Sequence, residues 1–126
     1  MHVEESLFQA FVVSTKRQRY IELLASKHGR EKIVRSLDHF KDLDPRFCRH
    51  VESADIPRIL RGLGAPSVCY IVSSDSNLDG REMSLPDALT EVIGRGQGTF
   101  ISCIPGKLAY FEGEEPHERY ICHRER

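Results

Sequence analysis

The residues best placed to do chemistry lie in Asp75-Ser76-Asn77-Leu78-Asp79-Gly80, where side-chain oxygens alternate and a glycine permits a sharp turn. The spacing D-x-N-x-D-G opens a calcium-binding loop, because alternate oxygen ligands converge on a hard cation. Asp75, Asn77, Asp79 and Glu82 are therefore the candidate ligands for Ca²⁺ or Mg²⁺, and on that reading the chain carries a cation site or acts as a metal-assisted hydrolase. Two features oppose it. Pro86 stands where a bidentate glutamate should close the loop, and the segment before the loop reads as a strand. Asp, Asn and Gly are also the ordinary residues of an Asx-rich turn, which is the plainer reading.

Gly94-Arg95-Gly96-Gln97-Gly98 invites comparison with phosphate-binding glycine loops. Those loops follow a strand and open a helix, whereas this run follows a helical stretch and precedes a strand, so a helix C-cap and flexible connection is the better account. Cysteine and histidine show no zinc spacing: Cys48 and His50 are two apart and Cys122 adjoins His123. The four cysteines, widely spaced and without a C-x-x-C pair, read as reduced, buried apolar residues.

Basic residues concentrate early. Residues 14 to 35 hold seven of them, with Lys16, Arg17, Arg19 and Arg30 as the candidate phosphate contacts, against Glu22 and Glu31. A single exposed face carrying them would bind nucleic acid in a steeply salt-dependent way. No nucleic-acid-binding motif accompanies the run, and a solvated face is the plainer reading.

Periodicity defines the elements that must position these groups. Leu7, Phe8, Phe11 and Val12 share one face of a helix starting near Ser6. Tyr20, Leu23 and Leu24 mark a second helix, with Ser14 or Thr15 as cap and Gly29 as its end. Ile33, Val34, Leu37 and Phe40 mark a third, stopping by Asp44-Pro45. A fourth spans Ala54 to Leu63. Beyond Pro66 the pattern turns β-rich: a buried strand over 67–72, a polar loop over 73–82, and a helix capped by Ser84 and ended by Gly94. A hairpin of 99–104 with 107–111 and a last strand over 119–123 follow. The expectation is one α+β domain over 1–126, a helical part (1–63) packed on a small, mainly antiparallel sheet of β-α-β-β-β order (67–126).

In the hairpin, Ile101 faces Tyr110 and Cys103 faces Leu108, giving one apolar side; the other sets Phe100 against Phe111 with Ile104 nearby. That second side needs a cover, either the N-terminal helices or a partner, which makes Phe100, Ile104 and Phe111 the candidate interface.

An apolar share of 40%, a charged share of 29% and a net charge of -1 are those of a folded globular chain rather than a disordered one. No apolar run approaches a membrane span, and the acidic start Met1-His2-Val3-Glu4-Glu5 carries no secretory signal, so a cytoplasmic location is expected. No catalytic constellation is visible. The reading that follows is a small binding or regulatory module acting on a protein partner or on a second copy of itself, with the cation site and nucleic acid as alternatives.

Overall fold

The computed structural model describes residues 3–125. Helix α1 (Val3–Phe11) begins earlier than its apolar stripe required, with Glu4 and Glu5 in the first turn where the helix dipole favours negative charge. A single 3₁₀ turn, Ser14–Lys16, separates it from α2 (Arg17–Leu24), and no side chain caps either segment. Helix α3 (Lys27–Ser36) is capped by Ser26, whose Oγ accepts the Gly29 N–H at 3.0 Å. Gly29 thus lies inside a helix instead of ending one. A Cβ there would sit 2.1 Å from the Leu23 carbonyl oxygen, so glycine is needed for the close approach of α2 and α3.

The chain then forms β1 (Cys48–His50), α4 (Ile56–Gly62), β2 (Val68–Ser73), β3 (Glu82–Ser84), α5 (Leu85–Val92), β4 (Thr99–Ile104), β5 (Leu108–Glu112) and β6 (Arg119–His123). Ser84 caps α5 as expected, its Oγ accepting the Asp87 N–H at 3.2 Å. The six strands make one antiparallel sheet in the order β1-β6-β5-β4-β2-β3. Two strands absent from the sequence reading, β1 and β3, form its edges.

In the hairpin Ile101 pairs with Tyr110 and Phe100 with Phe111, but a bulge between Ser102 and Ile104 sets Ile104, not Cys103, opposite Leu108. Because side chains alternate along a strand, both faces of the sheet need cover. Helices α1 to α3 pack on Val72, Phe100, Ala109, Phe111 and Cys122. Helices α4 and α5 pack on the opposite face, on Ile71, Ile101, Leu108, Tyr110 and Ile121. The helical part therefore divides, with α4 crossing to the far side, and the central strands read as nearly continuous apolar runs because both their faces are buried.

Candidate functional site

The acidic loop is a structural clasp. Asp75 Oδ1 accepts the Asn77 N–H at 2.9 Å, the local bond of an Asx turn, and Asp79 Oδ1 accepts the Ser73 N–H at 3.0 Å. Asp79 also takes a two-pronged contact from Arg30, at 2.7 and 2.9 Å. The same guanidinium grips Glu4 at 2.8 and 2.9 Å, and Tyr70 donates its hydroxyl proton to Glu4 at 2.6 Å. Glu82 lies apart, exposed on β3. Among the described residues no three His, Cys, Asp or Glu side chains gather as a metal ion would require. Of the expected set Asp75, Asn77, Asp79 and Glu82, the three carboxylates do not gather, and at Asp79 it is Arg30 that supplies positive charge.

The same geometry breaks up the basic face. Arg30 is engaged in that clasp, while Arg17 donates to the Val12 carbonyl at 2.8 Å and to Asp44 at 3.1 Å. Lys16 stands 3.4 Å from Asp42. Arg19 remains exposed. Two of the four expected phosphate contacts thus hold the fold together instead of facing solvent.

The expected apolar interface is also interior. Phe100 and Phe111 are each 1% exposed, with ring centroids 4.7 Å apart and Phe40 at 5.7 Å from both. Phe8 meets Phe100 edge-on at 5.5 Å. Ile104 is half-buried against the other core. The helices, not a partner, cover this face.

The glycine run does bind an anion, but an internal one. Gly94 and Gly96 both have positive φ, and their N–H groups point at Glu112, whose Oε2 accepts them at 3.0 and 3.2 Å. Tyr110 donates to Glu112 Oε1 at 2.7 Å, and the Arg119 Nε stands 3.4 Å away. The segment is a C-cap as expected, but one fastened to β5 by a buried carboxylate.

The groups left free lie at the β1 edge. A groove of about 710 Å³ runs between α4 and the ends of β1 and β6. Its apolar lining is formed by Ile59 of α4 and Leu63 just beyond it with Val51 and Ile121, and its cationic lining by Arg46, Arg49 and Arg124, with His123 beside them. The guanidiniums are positioned by packing. Arg124 lies 3.7 Å above the Phe47 ring and donates its Nε–H to the Ala10 carbonyl at 2.9 Å; Arg46 stands 5.2 Å from the same ring. Beneath them Asp44, 1% exposed, accepts from Arg46 at 2.9 Å and from Arg17 at 3.1 Å.

The Arg46 hydrogen bond holds the Asp44 carboxyl below its usual range despite burial, and Arg17 adds to this. Burial lowers the Arg124 pKa, and repulsion from Arg17 and Arg46 lowers it further, with Asp44 opposing. Arg49 is exposed and has no ion-pair partner among the described residues. Arg46, Arg49 and Arg124 of the lining, with Arg17 behind them, stand against Asp44 and Glu125 and leave a local surplus of positive charge beside the apolar residues. On the other side of α4 a cleft of about 670 Å³ is lined mainly by apolar side chains such as Leu85, Leu89 and Ile93, without convergent polar groups.

No family model matches the chain, and neither a curated protein nor a solved structure matches it. The α+β class and the groove therefore carry the functional argument by themselves. No helix among the described residues is long and apolar enough to cross a membrane.

Proposed function

We propose that the protein is a binding module whose ligand is an acidic, amphipathic segment of a partner protein, taken into the groove between α4 and the β1 edge. The observation that carries this reading is the pairing of a cationic wall (Arg46, Arg49, Arg124) with an apolar one (Ile59, Leu63) across a single groove. A peptide alternating carboxylate and apolar side chains complements both walls at once, since charge complementarity gives orientation and on-rate while apolar burial supplies affinity. No strand pairs with the outer side of β1, where the Cys48 N–H is taken by the Asp44 carbonyl and the His50 backbone is left for an extended peptide beside the groove. We place the module in the cytoplasm, supported by its four free, buried thiols.

The test is amide chemical-shift mapping with a peptide alternating glutamate and leucine, set against lysine–leucine and glutamate–serine controls and a single-stranded oligonucleotide. The glutamate–leucine peptide should shift Arg49, Leu63 and His123 in a salt-sensitive manner, and Arg49→Glu should abolish the effect. Equal shifts with the lysine–leucine peptide, no shifts with any peptide at low salt, or saturation by the oligonucleotide alone overturn the reading.

A further inference from the structure

Two of the four cysteines form a cross-strand pair, Cys48 on β1 lying directly opposite Cys122 on β6. Cys69 and Cys103 lie one step beyond the end of the β2–β4 ladder, which begins at Tyr70 and Ser102. The backbone bonds Val51 N–H to Arg119 and His123 N–H to Phe47 place Cys48 and Cys122 at a non-hydrogen-bonded site. At such sites the Cα atoms approach to about 4.5 Å and the side chains are closest. That spacing lies at the short end of the range a disulfide spans, so the bond can form but is strained, and strained bonds are the readily reduced ones.

The two sites differ in what must move to admit an oxidant. Cys69 and Cys103 join β2 to β4 inside the sheet, with a bulge displacing the chain at Cys103. Cys48 belongs to an edge strand of three residues that pairs with β6 alone. Short edge elements with few ladder bonds open locally at the lowest cost. Cys48 is 7% exposed, and its thiol makes a long contact, 3.9 Å, with the Phe11 carbonyl and lies beside the Cys122 thiol. Burial raises the Cys122 pKa, with Cys48 adding to the shift, so reaction from the closed state is suppressed and opening of β1 gates it.

We propose that Cys48 and Cys122 are oxidised by small-molecule disulfides to a reversible disulfide that fastens β1 to β6 on the α1–α3 side of the sheet. The Cys48 thiolate attacks one sulfur of the small disulfide, breaking its S–S bond and releasing one thiolate. The Cys122 thiolate then attacks the Cys48 sulfur of the mixed disulfide and releases the second. Two protein thiols are oxidised, one small disulfide is reduced to two thiols, and the two protons pass to the departing thiolates. The proposal stands independently of what the groove binds.

The experiment equilibrates folded protein in oxidised and reduced glutathione without denaturant, then alkylates the remaining thiols and maps peptides by mass. The expected result is loss of two of the four thiols in a Cys48–Cys122 linkage, recovered with dithiothreitol, while the circular dichroism spectrum stays native. Cys69→Ser should keep the bridge, and Cys122→Ala should stop at a Cys48–glutathione mixed disulfide with no linkage between protein cysteines. The wild-type map stands without either variant if one fails to fold. Four free thiols in the oxidising buffer, glutathione adducts that never resolve, a Cys69–Cys103 bridge alone, or linkage only in urea each overturn the proposal.

Discussion

Replacing Glu112 with glutamine removes one negative charge and almost no volume, which isolates the electrostatic part of the clasp on the glycine run. The carboxylate is 1% exposed and accepts hydrogen bonds from the N–H groups of Gly94 and Gly96 and from the Tyr110 hydroxyl, while the Arg119 Nε stands 3.4 Å away as an ion-pair partner without a hydrogen bond. In the better orientation the amide oxygen keeps Gly94 and Gly96, and the Tyr110 hydroxyl turns to accept from the new NH₂. Arg119 then faces a donor. Hydrogen bonds to a charged acceptor are worth about 1.5–3 kcal/mol and neutral ones about 1, so weakening two of them costs roughly 2 kcal/mol. Arg119 is 20% exposed and its Nε makes only a 3.4 Å ion pair without a hydrogen bond, so losing that partner adds only about 1 kcal/mol.

The expected destabilisation is about 3 kcal/mol. With a urea slope of about 2 kcal/mol per molar, the unfolding midpoint falls by about 1.5 M. Far-UV circular dichroism is the readout, since the chain has no tryptophan. Glu114→Gln, at a side chain 46% exposed, is the control and should stay within about 0.5 kcal/mol of wild type. A midpoint for Glu112→Gln within about 0.5 M of wild type would refute the reasoning, because it would mean the carboxylate carries no charge-assisted bonds.

Three further outcomes follow from the same geometry. Gly29→Ala places a methyl 2.1 Å from the Leu23 carbonyl oxygen, so α2 and α3 must separate; a thermal melt should show a loss of about 2 kcal/mol, overriding alanine's helical advantage of up to about 1 kcal/mol. Phe100→Ala empties the middle of the Phe8–Phe40–Phe111 cluster and should cost about 3–5 kcal/mol in urea unfolding while the gel-filtration elution volume is unchanged, since the ring is interior. Burial pushes the Glu4 carboxyl up, but hydrogen bonds from Arg30 and Tyr70 outweigh it and hold the pKa below the usual 4.5. A lowered folded-state pKa gives stability that is present above pH 4.5 and lost as the pH falls through the lower value, so Glu4→Gln should flatten the acid limb of stability, measured by urea melts from about pH 6 down to about pH 3.

The elements were legible where one physical signal dominated. The Ser84 cap, the hairpin and β6 fall where alternation and turn residues put them, and burial on both faces makes the hairpin strands nearly continuous apolar runs. The edge strands were hidden: Cys48-Arg49-His50 and Glu82-Met83-Ser84 are three residues long, and charged edges protect against mispairing while erasing the strand pattern. Gly29 misled because a glycine that permits close packing looks, in sequence, like one that ends a helix. The groove was illegible for a different reason. Its walls come from residues 46–51, 59–63 and 121–125, and nothing local says that these three segments meet. The one local trace was the density of basic residues from Arg46 to His50.

The motifs that suggested chemistry share one fate, and it explains where free chemistry remains. Asp79 receives Arg30, and Glu112 receives two glycine N–H groups and faces Arg119; each carboxylate draws its donors from segments distant in sequence. A carboxylate in an Asx loop or beside a glycine run is designed by the same chemistry whether its counterpart is a foreign cation or an internal guanidinium. What separates the cases is whether the fold delivers that guanidinium, which only long-range packing decides. With these pairs closed on both sides of the central sheet, Arg46, Arg49 and Arg124 still line one groove together with Ile59 and Leu63, with the single carboxylate of Asp44 beneath them. Neutralising an exposed arginine such as Arg49 would cost the fold little, so a substitution there reports on ligand recognition with little contribution from stability.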